Sequence, residues 1–286
     1  VTGPPSPATV LIVAYKAYDE LGRCLASLQQ YEPSAPVVVV DHDADSQRAA
    51  DVQTRFPAVT YLVRRDNPGF AAGVNRAAHA AAPGALLLLN PDCELHGPIV
   101  APLVDVLARH TMAGIVGGLV REPDGGVQPS ARKFPDITTA FGGRTSWLTR
   151  RMPGNPLSRR NLREVPAGQE AEVDWVTGAL MLVRRETFEA VGGFDEGFFL
   201  YWEDADFCRR AATAGWTTMH APIVEVTHLT ARASRHAPFR SLAAFHLSAW
   251  RYYWKHGGWL ARLLSPLVAA GLAARFAVRV LARSSD

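Results

Sequence analysis

Two acidic segments carry the residue types needed for chemistry at a phosphorylated centre. In LLLLNPDC, Asn90 and Asp92 flank Pro91 at the end of an apolar run. The proline fixes the backbone beside the carboxylate, which suits Asp92 to bridge a hard cation to a diphosphate. In FFLYWEDADF, Glu203, Asp204 and Asp206 open a helical stretch behind four aromatics, Phe198, Phe199, Tyr201 and Trp202. Such rings desolvate a neighbouring carboxylate and raise its pKa towards what a general base requires, so Glu203 or Asp204 is a candidate base. Acids also offset the helix dipole, and Asp206 to Arg210 has the i,i+4 spacing of a surface ion pair, so Asp206 is read as structural.

Three weaker signals surround these. Asp41 closes VVVVD and precedes the turn-prone HDADS. It suits either a strand end with a helix cap or an acceptor for the imide N–H of a pyrimidine base, and the segment alone leaves both open. RDNPGFAAGVNRAA sets Asn67 and Gly69 before a helix bearing Asn75, which is an ordinary turn as well as a favourable place for diphosphate charge. His228 ends the apolar VEVTHLT. A lone histidine is more often structural, yet a neutral imidazole there would complete a Mn²⁺ or Mg²⁺ shell with Asp92.

The elements that must position these groups alternate. Apolar β-rich runs (VLIVAY, VVVVD, VTYLV, ALLLLN, AGIVGGLV) are separated by helix-like stretches over 19–30, 46–56, 69–82 and 98–109. Continuous apolar runs suit strands covered on both faces, so the spacing predicts a parallel sheet flanked by helices, an α/β nucleotide-binding architecture. Ligands in such sheets lie beyond the carboxyl ends of the strands, where Tyr15, Asp41, Asn67, Asn90 and Asp92 fall. Between Arg121 and Ala171 the periodicity gives way to Gly, Pro, Arg and Ser, predicting a long loop region. A strand and short helix then lead to GGF, and two further helices are expected over 238–256 and 259–282.

The predicted organisation is a flexible leader at 1–8, a catalytic domain at 9–236 and a helical C-terminal appendage at 237–286. With 48% apolar and 20% charged residues the composition is that of a globular chain, soluble or peripheral. The net charge of +3, with its basic excess confined to 144–163 and beyond Arg232, offers no stripe for nucleic acid. Cys24, Cys93 and Cys208 are odd in number and lack ligand spacing, which fits a reducing cytoplasm and indicates no zinc or disulfide framework. The start, VTGPPSPAT, lacks the pattern of a signal peptide.

In order, AYK, VVVVDHD, DNPGFAAGVN, LLNPD, GALMLVRRETFEAVGGFDEGFFLYWEDADFCRRAATAGW and His228 make the chain resemble the family 2 glycosyltransferases of the GT-A fold over about residues 9–256. The likeness is closest to bacterial rhamnosyltransferases that use a deoxythymidine-diphosphate sugar. The resemblance implies that Ala14, Tyr15, Asp41 and Asn67 line the nucleoside pocket, with Gly69, Asn75 and Asn90 beside it. It implies that NPD, ending in Asp92, stands for the DXD metal motif, that Asp204 is the base, and that His228 helps hold Mg²⁺, Mn²⁺ or the diphosphate. Lys16, His42 and Asn90 depart from the family pattern, which has Asn, Asn and an acid there. The expected activity is inverting, metal-dependent transfer of L-rhamnose or a related deoxyhexose from a dTDP or UDP donor to a saccharide or lipid-linked acceptor, in polysaccharide or cell-wall synthesis. Two alternatives are a nucleotidyltransferase, which AYKAYDEL disfavours for want of a triphosphate loop, and a silent nucleotide-binding scaffold at a membrane.

The C-terminal WLARLLSPLVAAGLAARFAVRVLARSSD has an uncharged stretch of 12 residues, Leu263 to Ala274, short of the ~20 needed to cross a bilayer. Arg275, Arg279 and Arg283 recur at i,i+4, with Phe276, Val280 and Leu281 off that stripe. The expectation is an interfacial helix drawn to anionic lipid on the inner face of the cell membrane, or a helix packed on protein.

Overall fold

The computed structural model describes residues 7–43, 45–135, 165–166, 168–229 and 238–283. The basic segments GGRTSW and RRMPGNPLSRR lie outside them, as does all but the end of the expected leader. Strand pairing has already begun there: the Ala85 N–H donates to the Pro7 carbonyl, and β1 (Ala8–Ala14) starts at the next residue.

The apolar runs form the strands expected of them: β1, β2 (Val37–Asp41), β3 (Thr60–Val63), β4 (Ala85–Leu89) and β6 (Ala113–Arg121), with β5 (Cys93–Leu95) between the last two. Helices α1 (Tyr18–Tyr31), α2 (Ser46–Arg55), α3 (Phe70–Ala80) and α4 (Val100–Arg109) fill the crossovers. The rest of the sheet comes from β7 (Val127–Gln128), β9 (Ala171–Val173), β11 (Leu180–Val183) and β12 (Thr217–His228), and β8 (Ala131–Arg132) pairs with β10 (Trp175–Val176) apart from it. The predicted 121–171 loop thus contains short strands at its described edges. Helices α5 (Arg185–Ala190), α6 (Glu203–Thr213), α7 (Pro238–His256) and α8 (Gly258–Arg283) complete the chain.

The strand order is β3-β2-β1-β4-β11-β6-β12-β5, with β7 beside β6 and β9 beside β12. β3, β2, β1 and β4 are parallel, as are β6 and β12. The mostly parallel sheet expected of the sequence is interrupted at its middle, where β11 runs antiparallel to β4 and β6 and pairs Leu180 with Leu89 and Met181 with Gly117. A four-residue run buried on both faces has no alternation to betray its direction.

Along β1 the side chains part alternately. Val10, Ile12 and Ala14 join a core with Leu21, Leu25 and Leu28 of α1 and Leu103 and Val106 of α4. Leu11 and Val13 join a second core with Ala71 and Val74 of α3 and Phe207 and Ala211 of α6. The sheet therefore lies between two helical layers, and the same alternation decides where each residue at a strand end points.

Candidate functional site

At the end of β2 the alternation sends Asp41 towards α1 and His42 towards α3. Asp41 is buried, and its Oδ2 accepts the hydroxyls of Tyr18 (3.1 Å) and Tyr61 (2.8 Å) while Oδ1 accepts the Asp43 N–H (2.9 Å). Three of about four acceptor positions are thereby taken. Burial raises the Asp41 pKa, and the Asp43 N–H and the two hydroxyls offset part of the rise. His42 is buried above Gly73, whose missing side chain leaves it room, and neither ring nitrogen has a hydrogen-bond partner among the described residues. Burial pushes its pKa down, so the ring is held neutral.

Backbone strain gathers at the same edge of the sheet. Among the described residues, the non-glycine residues with positive φ are Lys16 (54°), Asn67 (37°), Tyr201 (68°) and Trp202 (71°). They stand directly after β1, before α3 and before α6, in three of the segments singled out by sequence. Such conformations cost on the order of 1–3 kcal/mol each and cluster where function over-determines the backbone. Tyr15 is half-buried with the Lys16 ammonium 5.5 Å from its ring, and Ala14 is buried, its carbonyl accepting the His42 N–H. Gly69, at φ 105°, lets the chain pass against the Phe199 carbonyl, which a Cβ would strike and which accepts the Phe70 N–H (2.8 Å).

Asn75 is taken up by the same junction. Its Oδ1 accepts the Phe194 N–H (2.8 Å), and its Nδ2 donates to the Phe194 carbonyl and Glu196 Oε1 (both 2.9 Å). The expected pocket residue thus staples α3 to the turn ahead of α6.

The turn after β4 meets the end of β12. His228 Nε2 lies 3.1 Å from Asp92 Oδ1 and 3.1 Å from Asn90 Nδ2, and its Nδ1 lies 2.9 Å from Gln128 Oε1. If Nδ1–H donates to Gln128, Nε2 accepts the Asn90 Nδ2–H and its lone-pair side faces the same small space as an Asp92 oxygen, where a cation would meet both. Cys93 brings a third potential ligand atom within 4.8 Å of these two. Its thiol donates instead to the Ala179 carbonyl, and burial raises its pKa well above the usual value, so a hard cation would take the carboxylate and the imidazole. A buried carboxylate oxygen and an oriented imidazole nitrogen fit Mg²⁺ or Mn²⁺.

The other carboxylates open α6. Glu203 is buried, its Oε2 has no hydrogen-bond partner among the described residues, and burial together with the adjacent Asp204 raises its pKa well above the usual value. Asp204 is half-buried; Oδ2 accepts the Gly178 N–H (3.2 Å) and Oδ1 the Ala205 N–H (2.8 Å). Burial raises its pKa too, but those N–H groups and the Arg132 guanidinium pull against the rise. Of the two acids, Asp204 is the more exposed.

Asp206 corrects the surface-pair expectation. It pairs with Arg210 (2.8 Å) but is wholly buried, and its other oxygen meets Lys255 (2.8 Å) and His256 (2.7 Å) at the end of α7. Burial alone would raise its pKa; the His256, Lys255 and Arg210 contacts prevail and hold it below the usual carboxylate range. Lys255 also reaches Asp195 (2.7 Å), which pairs with Arg251 (2.9 Å) as well. These contacts overcome burial and hold Asp195 at about 2. With Ser248 donating to the Leu200 carbonyl and Trp202 packed on Phe245 and Tyr252, α7 is bolted to the segment that opens α6.

The loop 177–179 joins the two groups of acids. Gly178 donates to Asp204, while the neighbouring Ala179 carbonyl accepts the Asn90 N–H (3.1 Å), two residues from Asp92. Sequence patterning missed this loop, Gln128 and Arg132, because each acts through a partner distant in the chain; only the glycine in VTGAL marked a turn.

Comparisons with known proteins identify the family and the fold. The family model described as "Glycosyltransferase like family 2" matches residues 4–244. The chain is 35% identical over 264 residues to the N-acetylglucosaminyl-diphospho-decaprenol L-rhamnosyltransferase of Mycobacterium tuberculosis, covering 87% of this chain and 85% of the relative. It is 24% identical over 251 residues to the rhamnosyltransferase WbbL of Escherichia coli, covering 85% and 91%. Among solved structures, the mannosyltransferase PcManGT of Pyrobaculum calidifontis, in complex with GDP-Man and Mn²⁺, superposes with a TM-score of 0.59 at 16% identity, covering 99% of this chain and 78% of that one. The fold is of the GT-A type.

Proposed function

The chain belongs to the family 2 glycosyltransferases, and from that membership and the site we propose an inverting, metal-assisted transfer of L-rhamnose or a related deoxyhexose from a dTDP or UDP donor. The acceptor we propose is a lipid-linked saccharide, reached from the cytoplasmic face of a membrane. The observation that carries the reading is the 177–179 loop, which ties a half-buried, ionisable carboxylate at Asp204 to the Asn90–Asp92 turn and His228. A rhamnosyltransferase relative whose name specifies a decaprenol-linked substrate supports the donor and acceptor classes.

In this mechanism Asp204 takes the proton of the acceptor hydroxyl as that oxygen attacks the anomeric carbon, and the bond to the diphosphate breaks on the opposite face. The backbone N–H groups of Gly178 and Ala205 aim the Asp204 carboxylate, and burial beside it favours the neutral form of Glu203. Asp92 and His228 would hold Mg²⁺ or Mn²⁺, whose chemistry is to neutralise the charge developing on the departing diphosphate. Ala14, Tyr15, Asp41 and Asn67 stand at the nucleoside end, with Asp41 held rigid by its two tyrosines.

The test is a donor screen by nucleoside-diphosphate release, with mass spectrometry and anomeric NMR of the product formed on a polyprenyl-diphosphate saccharide. The expected result is release from a deoxythymidine-diphosphate deoxyhexose, accelerated by acceptor, with inverted configuration. Release from no donor, or a product of retained configuration, would overturn the proposal.

A further inference from the structure

Helices α7 and α8 pack together through Ala249, Val268 and Leu272, a hydrogen bond from Trp250 Nε1 to Ser265 Oγ (2.8 Å) and an edge contact between His246 and Phe276. Beside that seam, partly shared with it through Trp250, lies an exposed apolar surface. On α8, Trp259, Leu263 and Leu267 recur at i,i+4 and are 77, 68 and 71% exposed. On α7, Leu247, Trp250 and Trp254 recur at i, i+3 and i+7; Leu247 is 67% exposed and the two tryptophans stack at 6.0 Å. The Arg262 guanidinium of α8 lies 5.9 Å from the Trp254 ring of α7, so the two exposed rows form one surface. Contiguous apolar surface of this kind marks an interaction site.

The charge of the hairpin narrows the partner. From Pro238 to Arg283 the chain has seven Lys and Arg and no Asp or Glu. Tryptophans and leucines beside a cation-only background are the composition that settles at the headgroup boundary of an anionic bilayer. The segment Ala261–Val278 is long and apolar enough to cross a membrane by itself, with a mean hydropathy of 1.4. Its other face, however, is committed to α7, and α7 is fixed to the catalytic domain through Asp195 and Asp206. Threading α8 through a bilayer would strip those contacts. Lying flat keeps them.

We infer that the outer face of the α7–α8 hairpin docks on an anionic lipid surface, with Leu247, Trp250, Trp254, Trp259, Leu263 and Leu267 entering the headgroup boundary. The face differs from the expected one: the sequence pointed to the Arg275, Arg279 and Arg283 stripe, whereas the exposed apolar row lies in the first half of α8. Because α7 is bolted to the residues that open α6, docking there would hold the site at a fixed height above the lipid. The inference gains its purpose from the reading of a lipid-linked acceptor, but it is measured without one.

The test is flotation of the full chain with phosphatidylglycerol–phosphatidylcholine vesicles and with phosphatidylcholine alone, using wild type, Leu263→Glu with Leu267→Glu, and Arg262→Glu. Wild type floats with anionic vesicles and is released as salt rises from about 0.1 to 1 M, where the Debye length falls from about 10 to 3 Å. The double variant binds at least about a hundredfold more weakly, since two leucines no longer enter the boundary and two like charges face the lipid. Its circular dichroism and its hydrolysis of donor in the absence of acceptor stay at wild-type levels, so a failure of donor chemistry is read separately from a failure of docking. Equal flotation of the double variant and wild type overturns the inference. So does binding that resists alkaline carbonate, which is the mark of a spanning helix, or a wild-type dimer that the variant converts to monomer without any vesicle binding by either.

Discussion

Replacing Asp204 by Asn separates the base from its acidic neighbour. Asn keeps the side-chain shape and an oxygen to accept the Ala205 N–H, now 2.8 Å from Oδ1. Its amide then turns towards the longer Gly178 contact of 3.2 Å. The lost charge at the start of α6 costs about 0.3–1 kcal/mol of dipole interaction, which relief from burying a carboxylate offsets, so the fold persists. The proton acceptor does not. General-base assistance of about 10²–10⁴-fold corresponds to ~3–5 kcal/mol of barrier at about 1.4 kcal/mol per tenfold. Turnover should drop by that factor while donor affinity stays within about twofold, because the group acts in the transition state. Glu203→Gln replaces an acid whose neutral form burial and Asp204 favour, so it should cost less than about tenfold. In wild type the rate should rise with pH through an acid limb above the ordinary aspartate range, because burial raises the Asp204 pKa. That limb should persist in Glu203→Gln and vanish in Asp204→Asn. Single-turnover transfer as a function of pH, with donor binding by calorimetry, reads all of these. A Glu203→Gln defect as large as that of Asp204→Asn, or an Asp204→Asn enzyme that binds donor poorly yet turns over normally, would refute the assignment.

Two further outcomes follow from the contacts described. Asp92→Ala and His228→Ala should each abolish Mn²⁺-dependent tightening of donor binding, and Gln128→Ala should weaken Mn²⁺ affinity by about 10–100-fold by freeing the His228 ring; paramagnetic titration checks this, and unchanged Mn²⁺ binding in all three would remove the metal from this site. Asp206→Asn should lower stability by about 3–5 kcal/mol in urea, since it leaves buried cations without their partner. The Asp206 carboxyl is held below its unfolded value, so its contribution is full above pH ~4 and is lost as pH falls through the folded value; the variant's stability should therefore decline less steeply in acid.

The sequence made the strands legible because each is an unbroken apolar run, and the strand-end acids legible because a polar group there stands out. Asp92 and His228, 136 positions apart, are paired by residue type and family likeness, since spacing alone leaves His228 structural, and the structure brings them to 3.1 Å. What stayed hidden depends on the partner. Nothing in the sequence around Asn75 reveals Phe194, its hydrogen-bond partner 119 residues away. Asp206 looked like a surface ion because i,i+4 spacing reveals Arg210 and says nothing of α7 arriving over it. The direction of β11 was hidden because hydrophobicity alone carries no sense of direction along a strand.

The place of β11 has a consequence for the order of folding. The strand fills the gap between β4 and β6, so a nascent chain that has emerged as far as β6 holds two buried strands with no neighbour between them. Closing the sheet must await residues 180–183, a non-local pairing of the kind that slows folding and leaves bare edges open to aggregation. The residue before β11 is Ala179, whose carbonyl receives the Asn90 N–H, and the one before that is Gly178, which holds Asp204. Sheet closure and assembly of the site would thus be one kinetic event, and a truncated or stalled chain would have neither.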